Sequence, residues 1–88
     1  MEDEHRGKQA REMIDYIVRE VIRRPVTLNE DTPLVSSGLI DSLALVEILL
    51  RLEDVTNTRI PSGKVQPKDM DTVRLMLATA QQVGRPRK

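Results

Sequence analysis

Apolar residues at Ala10, Met13, Ile14, Ile17, Val18, Val21 and Ile22 recur at intervals of three and four, with charges between them. That spacing gives one apolar stripe on a helix and no coherent face on a strand. It predicts a helix from about Lys8 to Arg24. Arg23 and Arg24 suit its last turn, where the dipole favours cations, and Pro25 ends it. The same period returns in Leu45, Ile48, Leu49, Leu52 and Val55, and again in Val73, Met76, Leu77 and Ala80, with Leu75 as a further contact. No segment alternates with the period of two that a half-buried strand needs. The expected fold is all-α: a small bundle of three main helices, with a fourth short turn near Ser62–Val65.

The connectors are long. Residues 25–40, PVTLNEDTPLVSSGLI, hold two prolines, two serines and a glycine. A loop of that length in a small domain packs its own apolar residues or has a function. Leu28, Leu34, Val35, Leu39 and Ile40 can pin it to the core. Residues 56–71 form the second connector, with Ile60 and Val65 as anchors. The second helix is expected over Ser42 to about Asp54, with Asp41 as N-cap and Ile40 and Leu45 placed for a hydrophobic staple. Asp71 or Thr72 caps the last helix, which Gly84 and Pro86 stop near Val83. The chain reads as one domain over residues 1–88, ordered over about 8–83, with a mobile basic tail at 84–88.

With 88 residues the core is modest, and with no cysteine neither disulfides nor thiolate-metal sites can staple it. The one histidine, His5, lies in a charged N-terminal stretch, so neither a histidine-zinc site nor a Ser-His-Asp triad is expected. Tyr16 is the sole aromatic, which argues against single-strand nucleic-acid binding by base stacking. The charged N-terminus lacks an apolar signal-peptide core, and no run approaches membrane-spanning length. A cytoplasmic monomer is the expectation.

The net charge is zero but uneven. Residues 28–58 hold six acidic groups and one basic; residues 59–88 hold two acidic and seven basic. Such asymmetry speaks to partners. The second helix also has more apolar surface than one core face requires. Leu43, Val46 and Leu50 fall wholly or partly outside its stripe. Either the long loop covers them or a partner does.

Ser42 follows Asp41 at the start of that helix. A catalytic serine needs a neighbouring base, and only Asp41 is near in sequence. Ser42 is better placed as another enzyme's substrate, because a phosphate ester there would sit beside free backbone N–H groups and the positive end of the dipole. The plain alternative is that Asp-Ser merely starts a helix.

The ordered set of segments resolves that choice. DTPLVSSGLIDSL, ALVEILLRLED, RIPSGKV and DMDTV follow a first amphipathic helix, and together they resemble the acyl carrier protein family, which includes aminoacyl and peptidyl carriers. The resemblance covers nearly the whole chain. It implies that Ser42, within Asp41-Ser42-Leu43, carries 4′-phosphopantetheine, placed there from coenzyme A by a phosphopantetheinyl transferase. The arm's thiol would hold an acyl or aminoacyl group as a thioester, which explains thiol chemistry in a protein without cysteine. The chain would be a non-catalytic phosphoprotein with no metal of its own. Its partners would be the transferase, a loading ligase and downstream acyl-processing enzymes.

The resemblance further implies docking through Leu43, Val46, Glu47, Leu50 and Asp54. Its neutral total charge, Ala44 after the motif, Arg51 on the acidic face and the basic C-terminal third depart from fatty-acid carriers. They count against a housekeeping fatty-acid role and point to a specialised pathway; the classes the resemblance leaves open are fatty-acid, polyketide and nonribosomal-peptide biosynthesis. The alternatives are an unmodified helical interaction domain, or a nucleic-acid-binding module using Arg59, Lys64, Lys68 and Arg74.

Overall fold

The computed structural model describes the backbone of residues 2–87 and the side chains of residues 7–87. The His5 side chain and Lys88 lie outside the described residues. Helix α1 (Glu2–Tyr16) runs on into a π-helical stretch, Ile17–Ile22. Helix α2 spans Ala44–Thr56 and helix α3 spans Val73–Val83. Each of the three packs against the other two. Single 3-10 turns lie at Ser62–Lys64 and Pro67–Met70.

The stripes expected on α1 and α3 form the core. Ala10, Met13 and Ile17 are buried with Val73, Met76, Leu77 and Ala80. On α2 only Ile48 and Leu52 are fully buried; Leu45, Leu49 and Val55 are half-buried at the core's edge. Leu28, Leu34, Ile40, Ile60 and Met70 close the core from the connectors.

Helix α1 starts at Glu2 instead of Lys8. Residues 2–7 have no apolar stripe to reveal a helix, but Glu2, Asp3 and Glu4 favour a helix N-terminus through the dipole. Its far end stops at Ile22 because residues before a proline avoid the helical region, and Arg24 precedes Pro25. Arg23 takes the left-handed conformation (φ 58°) and its N–H reaches Val18 O at 2.8 Å, which closes the wide last turn. Arg23 Nε also donates to Glu20 O at 3.2 Å, so the cation does meet the helix end.

Thr58–Arg59 (β1) and Arg85–Pro86 (β2) form a two-residue antiparallel pair, with Arg59 opposite Arg85. The sequence reading expected no strand. Two residues are too few to display alternation. The basic tail expected beyond Val83 therefore lies against the connector after α2. Gly84 is extended there (φ −72°), not left-handed. Glycine is required by space: a Cβ would strike the Ala80 carbonyl oxygen and come within 3.1 Å of Thr58.

Candidate functional site

The loop before Ser42 is a built structure. Ile40 N–H donates to Leu34 O at 3.1 Å, and both side chains are buried, so residues 34–40 close on themselves. Gly38 makes the turn at φ 83°, a left-handed conformation that favours glycine. Ser37 Oγ donates to Pro33 O at 2.7 Å. The loop is tied to the start of α3 by Asp71. Its Oδ1 accepts Val35 N–H and Ser36 N–H at 2.8 Å each, and its Oδ2 accepts Ser36 O–H at 2.9 Å. Leu34 N–H donates to Asp71 O at 2.8 Å. These bonds, led by the Ser36 amide, hold the Asp71 carboxyl below the usual aspartate value.

Asp71 was one of two candidate caps for α3. Thr72 does that work, with Oγ1 accepting Leu75 N–H at 3.1 Å. Asp71 is thereby free to hold the loop, a role that sequence reading missed. A second tie joins the same elements: Arg74 Nε donates to Asp31 Oδ1 at 2.7 Å, and Arg74 N–H donates to Glu30 O.

Asp41 caps as expected, through a tighter turn. Its Oδ1 accepts Ala44 N–H at 2.9 Å. The Asp41 and Ser42 carbonyls accept Ala44 N–H and Leu45 N–H at 3.2 and 3.3 Å. Regular α-helix therefore begins at Ala44, two residues later than expected. Ser42 lies in this turn, exposed, and its hydroxyl makes no hydrogen bond with a described residue. Its N–H and that of Leu43 are likewise unbonded at the positive end of α2. The hydroxyl is accessible, and the backbone beside it suits a phosphate.

Ser42 stands at the lip of a groove of about 200 Å³ between α2 and the second connector. Leu45 and Leu49 line one wall; Val65, Pro67 and Met70 line the other, with Ser62 as a further polar group. This is why Leu45 and Leu49 are only half-buried. An extended, mostly apolar arm with a few amide groups fits such a channel. The groove was not legible in the sequence, since the 3-10 turn at Pro67–Met70 that builds its far wall has no periodic signal.

The residues expected to dock partners share one exposed stripe. Leu43, Val46 and Leu50 are 81%, 64% and 58% exposed, and Glu47 and Asp54 are exposed beside them. Two charges are engaged within the chain. Arg87 donates to Asp54 at 2.9 Å, and the Arg51 guanidinium lies over the Tyr16 ring, 5.3 Å from its centre. Burial, followed by the charge of Glu47, raises the Tyr16 phenol above its usual value.

Within a small helical bundle, then, an unbonded serine stands at a helix start over an apolar groove. A family model described as the phosphopantetheine attachment site matches residues 14–79, from the end of α1 through the serine turn and all of α2 into α3. The chain belongs to that family, the acyl carrier proteins and their relatives, and its prosthetic group is 4′-phosphopantetheine. No curated protein and no solved structure matches it. Carrier domains of this family are non-catalytic and work with phosphopantetheinyl transferases and acyl-processing enzymes. Among the described residues, no helix is long and apolar enough to cross a membrane.

Proposed function

We propose that residues 1–88 form a single carrier domain that holds an acyl or aminoacyl group as a thioester on an arm attached to Ser42, and presents it to partner enzymes of a specialised pathway. The observation behind this reading is the exposed Ser42 hydroxyl, unbonded among the described residues, in the turn that leads into α2, inside the matched segment. In the attachment step Ser42 Oγ bonds to the phosphorus of the pantetheine phosphate of coenzyme A, the bond from that phosphorus to the bridging pyrophosphate oxygen breaks, and adenosine 3′,5′-bisphosphate leaves. The Ser42 proton passes to a base on the transferase. Among the described residues no side chain of this chain hydrogen-bonds the Ser42 hydroxyl, and Asp41 turns its Oδ1 to the Ala44 amide. Asp41 fixes the turn, and Leu43 stands exposed next to the reacting oxygen. Once attached, the arm supplies the thiol on which cargo is held.

Leu43, Val46, Glu47, Leu50 and Asp54 are the proposed docking face. Exposed apolar contact with acidic groups suits fast, weak encounter with basic partner patches. The chain itself catalyses nothing in this reading, and acts in the cytoplasm as a monomer. The reading as a nucleic-acid-binding module is weakened by Arg74, one of its four cations, which is bound to Asp31 and lies near Glu30.

Coenzyme A, magnesium and a broad-specificity transferase should add one phosphopantetheine mass to the protein. Ser42→Ala should abolish the gain. Modification elsewhere, or none with several transferases, would overturn the assignment.

A further inference from the structure

The C-terminal third has seven basic and two acidic residues, and among the described residues neither acidic group forms an ion pair with a basic one. Asp69 accepts Gln66 N–H at 2.9 Å, and Asp71 holds the Leu34–Ser36 loop. Arg74 and Arg87 are paired. Arg59, Lys64 and Arg85 are not: all three are exposed, and none has an ion pair with a described residue. Yet they converge. With Pro61 they line one cleft of about 250 Å³.

Arg59 and Arg85 face each other in the β1–β2 pair, where like charges directly opposite are destabilising. Glu53, the acidic group that touches this segment, has its Oε2 on the Ile60 N–H at 2.7 Å. A fold that sets two arginines opposite each other and adds a lysine, with none of the three in an ion pair among the described residues, leaves a place for an anion from outside. The cleft borders the serine groove: Ser62 lines the groove, while its neighbour Pro61 and Lys64 line the cleft.

The geometry points to a docking cleft for clustered Asp and Glu side chains on a protein partner, beside the groove that Ser42 opens. A small phosphate ligand fits less well. No hydrogen bond to a described residue fixes any of the three cationic groups, as a site built for one small anion would require. Unfixed, exposed cations steer and orient a charged surface. The chain then offers partners two faces of opposite sign: acidic and apolar along α2, basic at β1–β2. An enzyme that visits Ser42 would match both with a basic patch flanked by an acidic one. That last step rests on the carrier reading; the cleft's preference for carboxylates does not.

The test is a titration of the unmodified, 15N-labelled full chain with hexaglutamate at low salt, read by amide shifts. The expected result is saturable shifts centred on Arg59, Lys64 and Arg85. The Arg59→Gln/Arg85→Gln double variant should bind about fivefold more weakly, and Arg19→Gln/Arg24→Gln should not differ from the parent. Lys64→Gln, outside the strand pair, should also weaken binding, which separates charge loss from damage to the pair. Shifts spread evenly over all exposed arginines, or unchanged affinity in the cleft variants, would overturn the proposal. So would inorganic pyrophosphate saturating the same amides more tightly than the peptide. Because no arm is needed, failure here would leave the Ser42 assignment standing, and failure of Ser42 to accept the arm would leave the titration readable.

Discussion

The Asp71 carboxylate holds Ser36 with both oxygens, Oδ1 on the amide at 2.8 Å and Oδ2 on the hydroxyl at 2.9 Å. Since Ser36 lies in the loop that delivers Asp41 and Ser42, the start of α3 sets the position of the turn that begins α2. Removing the side chain leaves the Val35 and Ser36 amides to water, while the main-chain bond from Leu34 to Asp71 O remains. Asp71→Ala should therefore lower stability by about 1.5 kcal/mol, the low end for bonds to a charged group at a partly wet site. A urea midpoint measures this, and hydrogen exchange at Val35 and Ser36 should quicken.

The same bonds set an acid dependence. Their effect is to hold the Asp71 carboxyl below its ordinary value of 3.8. In the window between the two values the unfolded chain binds the proton and the folded chain does not, so stability rises with pH there. The contribution is complete above the ordinary value and is lost as pH falls through the folded one. The stability gap between the parent and Asp71→Asn should stay level from about pH 7 to pH 5 and shrink below about pH 4. Asp31 is also lowered, by its hydrogen bond to Arg74, but both groups are solvent-exposed, and salt should mask their share.

What the sequence revealed, and what it hid, divides by distance along the chain. The helical stripes were legible because Met13, Ile17, Ile48, Leu52, Val73 and Met76 repeat at the period of their own element. The exposed residues on α2 followed from the same count, as what remained after the core face was assigned. Asp71 stands beside Thr72 as a candidate cap because a cap is a local event; Thr72 takes that place, and the partners of Asp71 lie 35 and 36 residues away. The sequence offers Asp54 for docking partners, and nothing in its neighbourhood hints at Arg87, 33 residues on. Gly84 was legible as a helix stop, but the reason for glycine was the approach of Thr58, which only the folded chain brings there.

Gly84→Ala should accordingly cost stability despite an ordinary φ. The new methyl would meet the Ala80 carbonyl oxygen, which is backbone, and Thr58 Oγ1 at 3.0 Å. Overpacking of this kind costs about 1–3 kcal/mol. Relief requires the chain after Val83 to swing away from β1. Thermal unfolding should report the loss, and amide shifts at Thr58, Arg59 and Arg85 should show the strand pair opening. A variant that keeps those shifts and its parent's melting temperature would mean that the close approach is readily relaxed.

The docking face makes a prediction in which two acidic residues on one helix differ. Leu50→Ser changes a side chain that is 58% exposed, so stability should move by no more than about 0.5 kcal/mol. If partners dock there, the transferase's kcat/KM for the chain should nevertheless fall about tenfold, as for an apolar contact at an interface centre. Glu47 has no ion pair with a described residue, whereas the charge of Asp54 is already countered by Arg87. Glu47→Gln should therefore slow modification more than Asp54→Asn does. Arg87→Ala should act in the opposite direction and raise kcat/KM at low salt by uncovering Asp54. All three charge effects should fade as ionic strength rises and the Debye length contracts, while the Leu50→Ser defect should persist. Equal effects of Glu47→Gln and Asp54→Asn, or a Leu50→Ser protein modified at the parent's rate, would move the docking face elsewhere on the bundle.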